Sequence, residues 1–266
     1  VTGRIDLHQH LIPPRYAGWL RGRGVRPGGI DLPSWSADRA IRFMDRHDIE
    51  TGILSLSAPG VYAGDAGEAR RWAREINEYA ADVVRDRPAR FGFFATLTLP
   101  DLAGAIEEAA YALDVLGADG VVLLANHDGR YLGDPEFRPL LRWLHDRRTT
   151  VFVHPGELPA DPVPGIPTFA ADFLLDTTRT VLSLILSGTL KQCDGIRFVL
   201  ALAALLQVAD PDKIVYGSDY PFAPPAAVTL MHGEFARTEL DPALRTALLR
   251  TNALALLPRL TAEPSR

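Results

Sequence analysis

The sequence predicts an α/β fold built on a parallel sheet, either a closed barrel or a doubly wound sheet. Three observations carry this. Short β-branched or aromatic runs alternate with longer helical patterns along the 266 residues, the order expected of a βαβ chain. The strands are continuously apolar rather than alternating, as where both faces of a sheet are covered. No G-x-G-x-x-G and no P-loop follows the first strand, which weakens the nucleotide-binding alternative.

Taken in order, the first strand is "RIDLHQHL" (4–11), an apolar run interrupted by His8 and His10. Residues i and i+2 of a strand share one face, about 6.6 Å apart, so two imidazoles placed so can converge on one ion or substrate. A long loop (12–35) follows, then "SADRAIRFMDRHD" (36–48), a helix opened by Ser36 as N-cap. "TGILSLSAP" (51–59) is the second strand and "EARRWAREINEYAADVVRDRP" (68–88) the next helix. "RFGFFATLTL" (90–99) and "ADGVVLLAN" (118–126) are strands separated by the helix "DLAGAIEEAAYALDVLG" (101–117). The helix "DPEFRPLLRWLHDRR" (134–148) leads to a fifth strand, "TTVFVHPG" (149–156), and a proline-rich loop, "ELPADPVPGIPTF" (157–169). "IRFVLA" (196–201) and "KIVYGSDY" (213–220) complete seven strands. Loops after strands form the catalytic face of a barrel, so both long loops are candidate substrate covers.

Composition narrows the partners. The chain is 47% hydrophobic and 23% charged with no repeat or linker, so residues 1–266 read as a single domain. A net charge of −5 predicts no nucleic-acid binding. The single cysteine, Cys193, excludes an intramolecular disulfide framework and suits a reducing cytoplasm. It reads as a structural residue. The opening "VTGRIDLHQH" lacks the regions of a signal peptide, and no apolar run is long enough for a membrane span. The expectation is a soluble cytoplasmic protein with no membrane partner.

His154 and Asp219 fall at the C-terminal ends of apolar strands, as His8 and His10 do. In a parallel barrel those ends meet at one mouth. Three histidines and a carboxylate there suit a divalent metal with room left for water.

The motifs "DLHQHLIPP", "FVHPG", "YGSDYPF" and "TNALALLPRL" resemble the amidohydrolase superfamily. The nearest branch is that of aminocarboxymuconate-semialdehyde decarboxylase and the salicylate- and resorcylate-type decarboxylases. The stretches 43–61 and 120–137 also resemble its methylsalicylate-decarboxylase-like subgroup. The resemblance implies a TIM (β/α)8-type barrel with one divalent metal, usually zinc and sometimes manganese, and no organic cofactor. It also implies that His8, His10, His154 and Asp219 are the metal ligands.

One part of the pattern is missing. The family carries a histidine in "SHxGG" after the sixth strand, and then a seventh strand. Here "GIRFVL" runs directly into "ALAALLQVADPDK" with no turn residue. A βα unit is therefore absent near residues 200–201. The simpler account is a longer full-length protein, and the other is a deletion that opens the barrel and removes a catalytic histidine.

By this resemblance the protein is a metal-dependent decarboxylase of a small aromatic or unsaturated, salicylate-like carboxylic acid, with Asp219 as general acid/base. A hydrolase of a lactone, ester or amide would use the same ligands, and a non-catalytic metal-binding protein is the alternative of another class. Asn126, His127 and Arg130, in the loop after the fourth strand, are candidate substrate contacts. An arginine there suits a carboxylate, although a salt bridge to an acid such as Asp134 would also occupy it. His47 and His145 read as surface residues, and His232 as a surface or interface residue. Trp72 and Trp143 read as packing residues, whereas Trp19 and Trp35 are candidate walls for an aromatic substrate. The family also implies a possible homodimer.

Overall fold

A computed structural model describes residues 3–200, 210–238 and 240–261. Its strands are β1 (Arg4–His10), β2 (Ile49–Ser55), β3 (Phe91–Thr96), β4 (Gly120–Leu124), β5 (Asn126–His127), β6 (Arg130–Tyr131), β7 (Thr150–His154) and β8 (Arg197–Leu200). Six of them form one parallel sheet in the order β1-β2-β3-β4-β7-β8, while β5 and β6 make a small antiparallel hairpin. Helices α1 (Pro14–Gly22), α2 (Ala37–Arg46), α3 (Ala66–Asp86), α4 (Leu102–Asp114), α5 (Arg138–Asp146), α6 (Thr168–Leu186) and α7 (Thr189–Gln192) fall between the strands. Three more follow β8: α8 (Pro225–Arg237), α9 (Pro242–Thr246) and α10 (Asn252–Leu256).

The helices start where side-chain acceptors meet free backbone N–H groups. Ser36 accepts from the Arg39 amide, Asp65 from Glu68 and Asp101 from Gly104. The predicted helices are recovered within a few residues, with a 3-10 turn over Pro135–Phe137 leading into α5. The first long loop differs: it contains α1 and a 3-10 turn at Pro27–Gly29. Pro14 opens that helix at a position where its missing N–H costs nothing.

The core has two layers. Ile5, Leu7, Ile53, Phe94, Val122, Phe152 and Val199, drawn from all six strands, pack together on the inner side against Ala253 and Leu257. Residues of opposite parity, such as Leu54, Phe93, Val121 and Val151, pack under the helices. Strand β1 departs from strict alternation. Its pairing with β2 shifts by one residue between Asp6 and Gln9, so a residue is inserted on the β1 side. Ile5 and Leu7 face inward below this shift, while above it His8 and His10 share a face and Asp6 meets Gln9.

The predicted last strand, 213–220, is not a regular strand. Residues 214–220 run beside the free edge of β1 through Tyr216 O to the Leu7 amide (3.0 Å), the Asp219 amide to His8 O (2.8 Å) and Tyr220 O to the His10 amide (2.7 Å). Gly217 permits this approach, because a Cβ there would lie 2.7 Å from the His8 Cβ. Among the described residues no strand joins β8 to this segment. The sheet is thus a TIM-type barrel open at the position where the sequence lacks a unit. The expected helix around 201–213 lies outside the described residues except at its end, where Pro211–Lys213 form a 3-10 turn.

Candidate metal centre

The side chains of His8, His10, His154 and Asp219 converge, with one ligand atom from each lying within 4.8 Å of all the others. His8 Nε2 lies 3.0 Å from His10 Nε2, and Asp219 Oδ1 lies 3.3 and 3.2 Å from the two nitrogens. Atoms on the corners of a tetrahedron with bonds near 2.05 Å stand about 3.3 Å apart, so these separations match a coordination shell. The outer nitrogens support it. His10 Nδ1 meets Ser55 O at 3.1 Å, and His154 Nδ1 meets Pro155 O at 2.7 Å. Donating there leaves the Nε2 lone pairs aimed at the centre. Burial is the main cause that lowers the histidine pKa values, to about 3 for His8 and His154 and about 4 for His10. All three are neutral at pH 7 and available as donors to a divalent cation.

Asp219 sits at φ 56°, in the left-handed region that aspartate tolerates better than most residues. Its amide donates to His8 O, and its own carbonyl accepts from the Phe222 and Ala223 amides, both at 2.9 Å. Its carboxylate is half exposed, whereas the His10 ring is fully buried, so it stands at the open side of the cluster.

Asp6 was not among the candidates. Fully buried, its carboxylate accepts from the Ser218 amide (2.9 Å) and hydroxyl (2.5 Å), Gln9 Nε2 (3.0 Å) and the His8 amide (3.2 Å). Burial raises its pKa to about 6 against the lowering effect of these donors. It fastens the Asp219 segment to the histidine strand. An acid inside an apolar strand was the available signal, since a buried carboxylate needs partners.

A cavity of about 310 Å³ opens beside the cluster at the ends of β2, β3 and β4, walled by Leu56, Val61, Leu97, Leu99 and Leu124. Ser57 joins the two, lining the cavity and placing Oγ 3.5 Å from His154 Nε2. Asn126 and His127 line it as well, but the polar atoms of Asn126 are turned to structure. Asn126 Nδ2 donates to Glu157 O (2.9 Å) and Asp176 Oδ1 (2.8 Å), and its Oδ1 accepts from the Gly129 amide (3.2 Å). His127 packs edge-on to Phe137, with Nε2 buried and without a partner, and burial lowers its pKa to about 4. Arg130 is not on the cavity wall and pairs with Glu136, the neighbouring acid in place of Asp134.

The other expected surface and wall residues also move. His47 is buried, 4.6 Å from the Phe43 ring and 5.1 Å from His232, because the end of α2 packs against α8. His232 Nε2 in turn lies 2.8 Å from the Tyr216 hydroxyl. His145 Nδ1 accepts from the Gly195 amide at 2.9 Å. Trp19 packs with Tyr16 and Trp72, and Trp35 with Tyr79, so neither walls the cavity. Cys193 is buried.

Comparison with known proteins follows this geometry. The amidohydrolase family model matches residues 5–201 and 201–259, interrupted where the barrel is open. Decarboxylase yanB of Aspergillus niger is 41% identical over 211 residues, covering 74% of this chain and 57% of the relative. In that match the chain spans little more than half the relative's length. The 6-methylsalicylic acid decarboxylase acuB of Aspergillus aculeatus is 31% identical over 320 positions, covering 97% of this chain and 96% of the relative. As 320 positions exceed the chain's 266 residues, that relative carries a stretch without counterpart here. Among solved structures, an amidohydrolase II aligns with a TM-score of 0.90 at 25% identity over 98% of this chain and 100% of its own. The 5-carboxyvanillate decarboxylase of Novosphingobium aromaticivorans, complexed with manganese and 4-hydroxy-3-methoxy-5-nitrobenzoic acid, aligns with a TM-score of 0.80 at 20% identity over 96% and 95% of the two chains. The family match spans almost every residue from the first strand to the last helix, and the chain belongs to the amidohydrolase family.

Proposed function

We propose that this protein is a metal-dependent, non-oxidative decarboxylase of a small salicylate-like carboxylic acid, acting as a single domain over residues 1–266. The observation that carries the reading is the convergence of His8, His10, His154 and Asp219 beside an apolar cavity. The relatives named as decarboxylases favour this chemistry over hydrolysis by the same ligand set. Three imidazoles and one carboxylate within 4.8 Å of one another favour zinc, with manganese as the alternative. A bound divalent cation would supply positive charge for the substrate's carboxylate or an adjacent oxygen.

The chain's own residues do the rest. Leu56, Val61, Leu97 and Leu99 exclude water around the ring, and Ser57 stands where ring and ligands meet. The bond to the carboxyl carbon breaks, its electron pair stays on the ring carbon, and a proton drawn from solvent water and passed on by the half-exposed Asp219 replaces carbon dioxide there. Asp219 takes this role as the one carboxylate of the cluster and its half-exposed member. Asn126 and His127 shape the wall, and Arg130 pairs with Glu136 off the cavity wall. A reducing cytoplasm suits the one buried thiol.

The test is carbon dioxide release from salicylate and 6-methylsalicylate by protein loaded with zinc or manganese, alongside ring opening of a lactone. Metal-dependent carbon dioxide release is expected. Lactone opening alone assigns the hydrolase chemistry, and stoichiometric metal with neither activity assigns a binding protein. An intact mass several kDa above the 29.1 kDa of these residues would show a further segment, most simply the additional βα unit.

A further inference from the structure

The cavity wall holds a hydroxyl that the fold does not use. Thr96 closes β3, two residues beyond Phe94 of the inner core layer, so its side chain turns to the inside of the barrel. It lines the cavity at 4% exposure, and among the described residues its Oγ1 is buried without a hydrogen-bond partner. Its backbone is clamped from the helix side. Asn77 of α3 donates through Nδ2 to Thr96 O (2.9 Å) and accepts at Oδ1 from the Thr96 amide (2.8 Å). Asn77 Nδ2 also donates to Glu108 at 2.8 Å, so the clamp is itself fixed. Thr96 is thus held in place while its hydroxyl stays unpaired. That costs stability which a valine of the same shape would not cost.

Position and charge identify what would meet this hydroxyl. In the sheet order β3 stands two strands from β1 and two from β7, so Thr96 marks the wall across from His8, His10 and His154. Among the described residues no lysine or arginine lines the cavity, and its charged side chains are Asp128 and Glu157. A second carboxylate on the substrate would enter unpaired, whereas a neutral hydroxyl can donate to Oγ1 or accept from it. The wall's other unpartnered atom, His127 Nε2, belongs to a ring packed on Phe137, which is not part of the wall. We infer that Thr96 is a specificity-determining residue, hydrogen-bonded to an uncharged polar substituent on the ring carbon opposite the substrate's carboxylate. The inference rests on the cavity beside the metal centre being the acid-binding site proposed above.

Two acids of equal shape test it. 2,4-Dihydroxybenzoate and 2-hydroxy-4-methylbenzoate differ only in the group opposite the carboxylate. Calorimetric titration of the metal-loaded protein gives both affinities whether or not either acid is turned over. Thr96→Val should shift the affinity ratio toward the methyl acid by about tenfold or more, and Thr96→Ser should keep the ratio of the unaltered protein. Thr96→Val should also equal or exceed the unaltered protein in urea midpoint, because the fold loses no hydrogen bond. A ratio unmoved in Thr96→Val overturns the inference and leaves the decarboxylase reading standing. A lowered urea midpoint in that variant overturns it too, since the hydroxyl would then serve the fold. A shifted ratio without carbon dioxide release from either acid supports the Thr96 contact and removes the decarboxylase reading alone. If neither acid binds, both readings fall.

Discussion

Two groups of polar residues stand at or just past strand ends, and they come to opposite uses. Those of β1, β7 and the 214–220 segment turn their free lone pairs toward one point, because backbone carbonyls take the other side of two of the rings. Those after β4 turn away: Asn126 bonds to Glu157 O, Asp176 and Gly129, and Arg130 to Glu136. The first group sets ring nitrogens and a carboxylate oxygen 3.0–3.3 Å apart around one point. The second has satisfied most of its own hydrogen bonds. Polar residues at a barrel mouth mark a site only when their partners leave them unfinished.

Substitutions should separate the two groups. The largest effect is expected for His154→Ala: metal content by elemental analysis should fall close to zero, and carbon dioxide release by about a thousandfold or more. Retained stoichiometric metal would dissolve the distinction. Next comes Asp6→Ala, which leaves Ser218 and Gln9 without their acceptor. Denaturant titration should show a loss of about 2–4 kcal/mol, together with metal affinity weakened by about 10–100-fold as the ligand segment loosens.

Stability against pH should sharpen the contrast further. Burial lowers the pKa of His8, His10, His154, His127 and His232 from 6.5 to about 3–4. As pH falls below 6.5 the unfolded chain binds protons that the folded chain refuses, so stability is lost toward pH 4. Asp6, raised from 3.8 to about 6, opposes this, since its contribution is present at low pH and lost as pH rises through 6. Five groups outweigh one, so metal-free protein should gain stability between pH 4 and 6.5 in urea titrations. A flat profile would mean that the histidines are solvated.

Asn126→Ala should cost about 1–3 kcal/mol through the lost bonds to Asp176 Oδ1 and Glu157 O, and should raise KM more than it lowers kcat. Smallest of all, Arg130→Ala removes a partly exposed ion pair of about 0–1 kcal/mol, and should change kcat/KM less than threefold. A hundredfold loss there would return Arg130 to the substrate.

Much of this was legible in the chain. The β-then-α order gave the sheet, strand-end histidines gave the cluster at its mouth, and an abrupt strand-to-helix junction gave the opening after β8. What was not legible depends on long-range pairing. The segment 214–220 has strand composition, but its hydrogen bonds are set by the β1 edge, by Gly217 and by the left-handed Asp219. The polar inner side of α6, with Asp176 and Thr180 buried, answers to Asn126, Gly156 and Ala125, which periodicity does not reveal. Asp6 and Ser218 are 212 positions apart in sequence.

The inserted residue in β1 has a consequence for how such a chain can change over generations. A strictly alternating strand has one inner face, and it must choose between feeding a core and feeding a site. Because the pairing shifts between Asp6 and Gln9, β1 does both, with Ile5 and Leu7 in the core and His8 and His10 at the centre. A single-codon deletion at Leu7 would leave every functional side chain encoded and yet exchange the two assignments. Point substitutions sample this site one ligand at a time, whereas one lost codon could remove half of it.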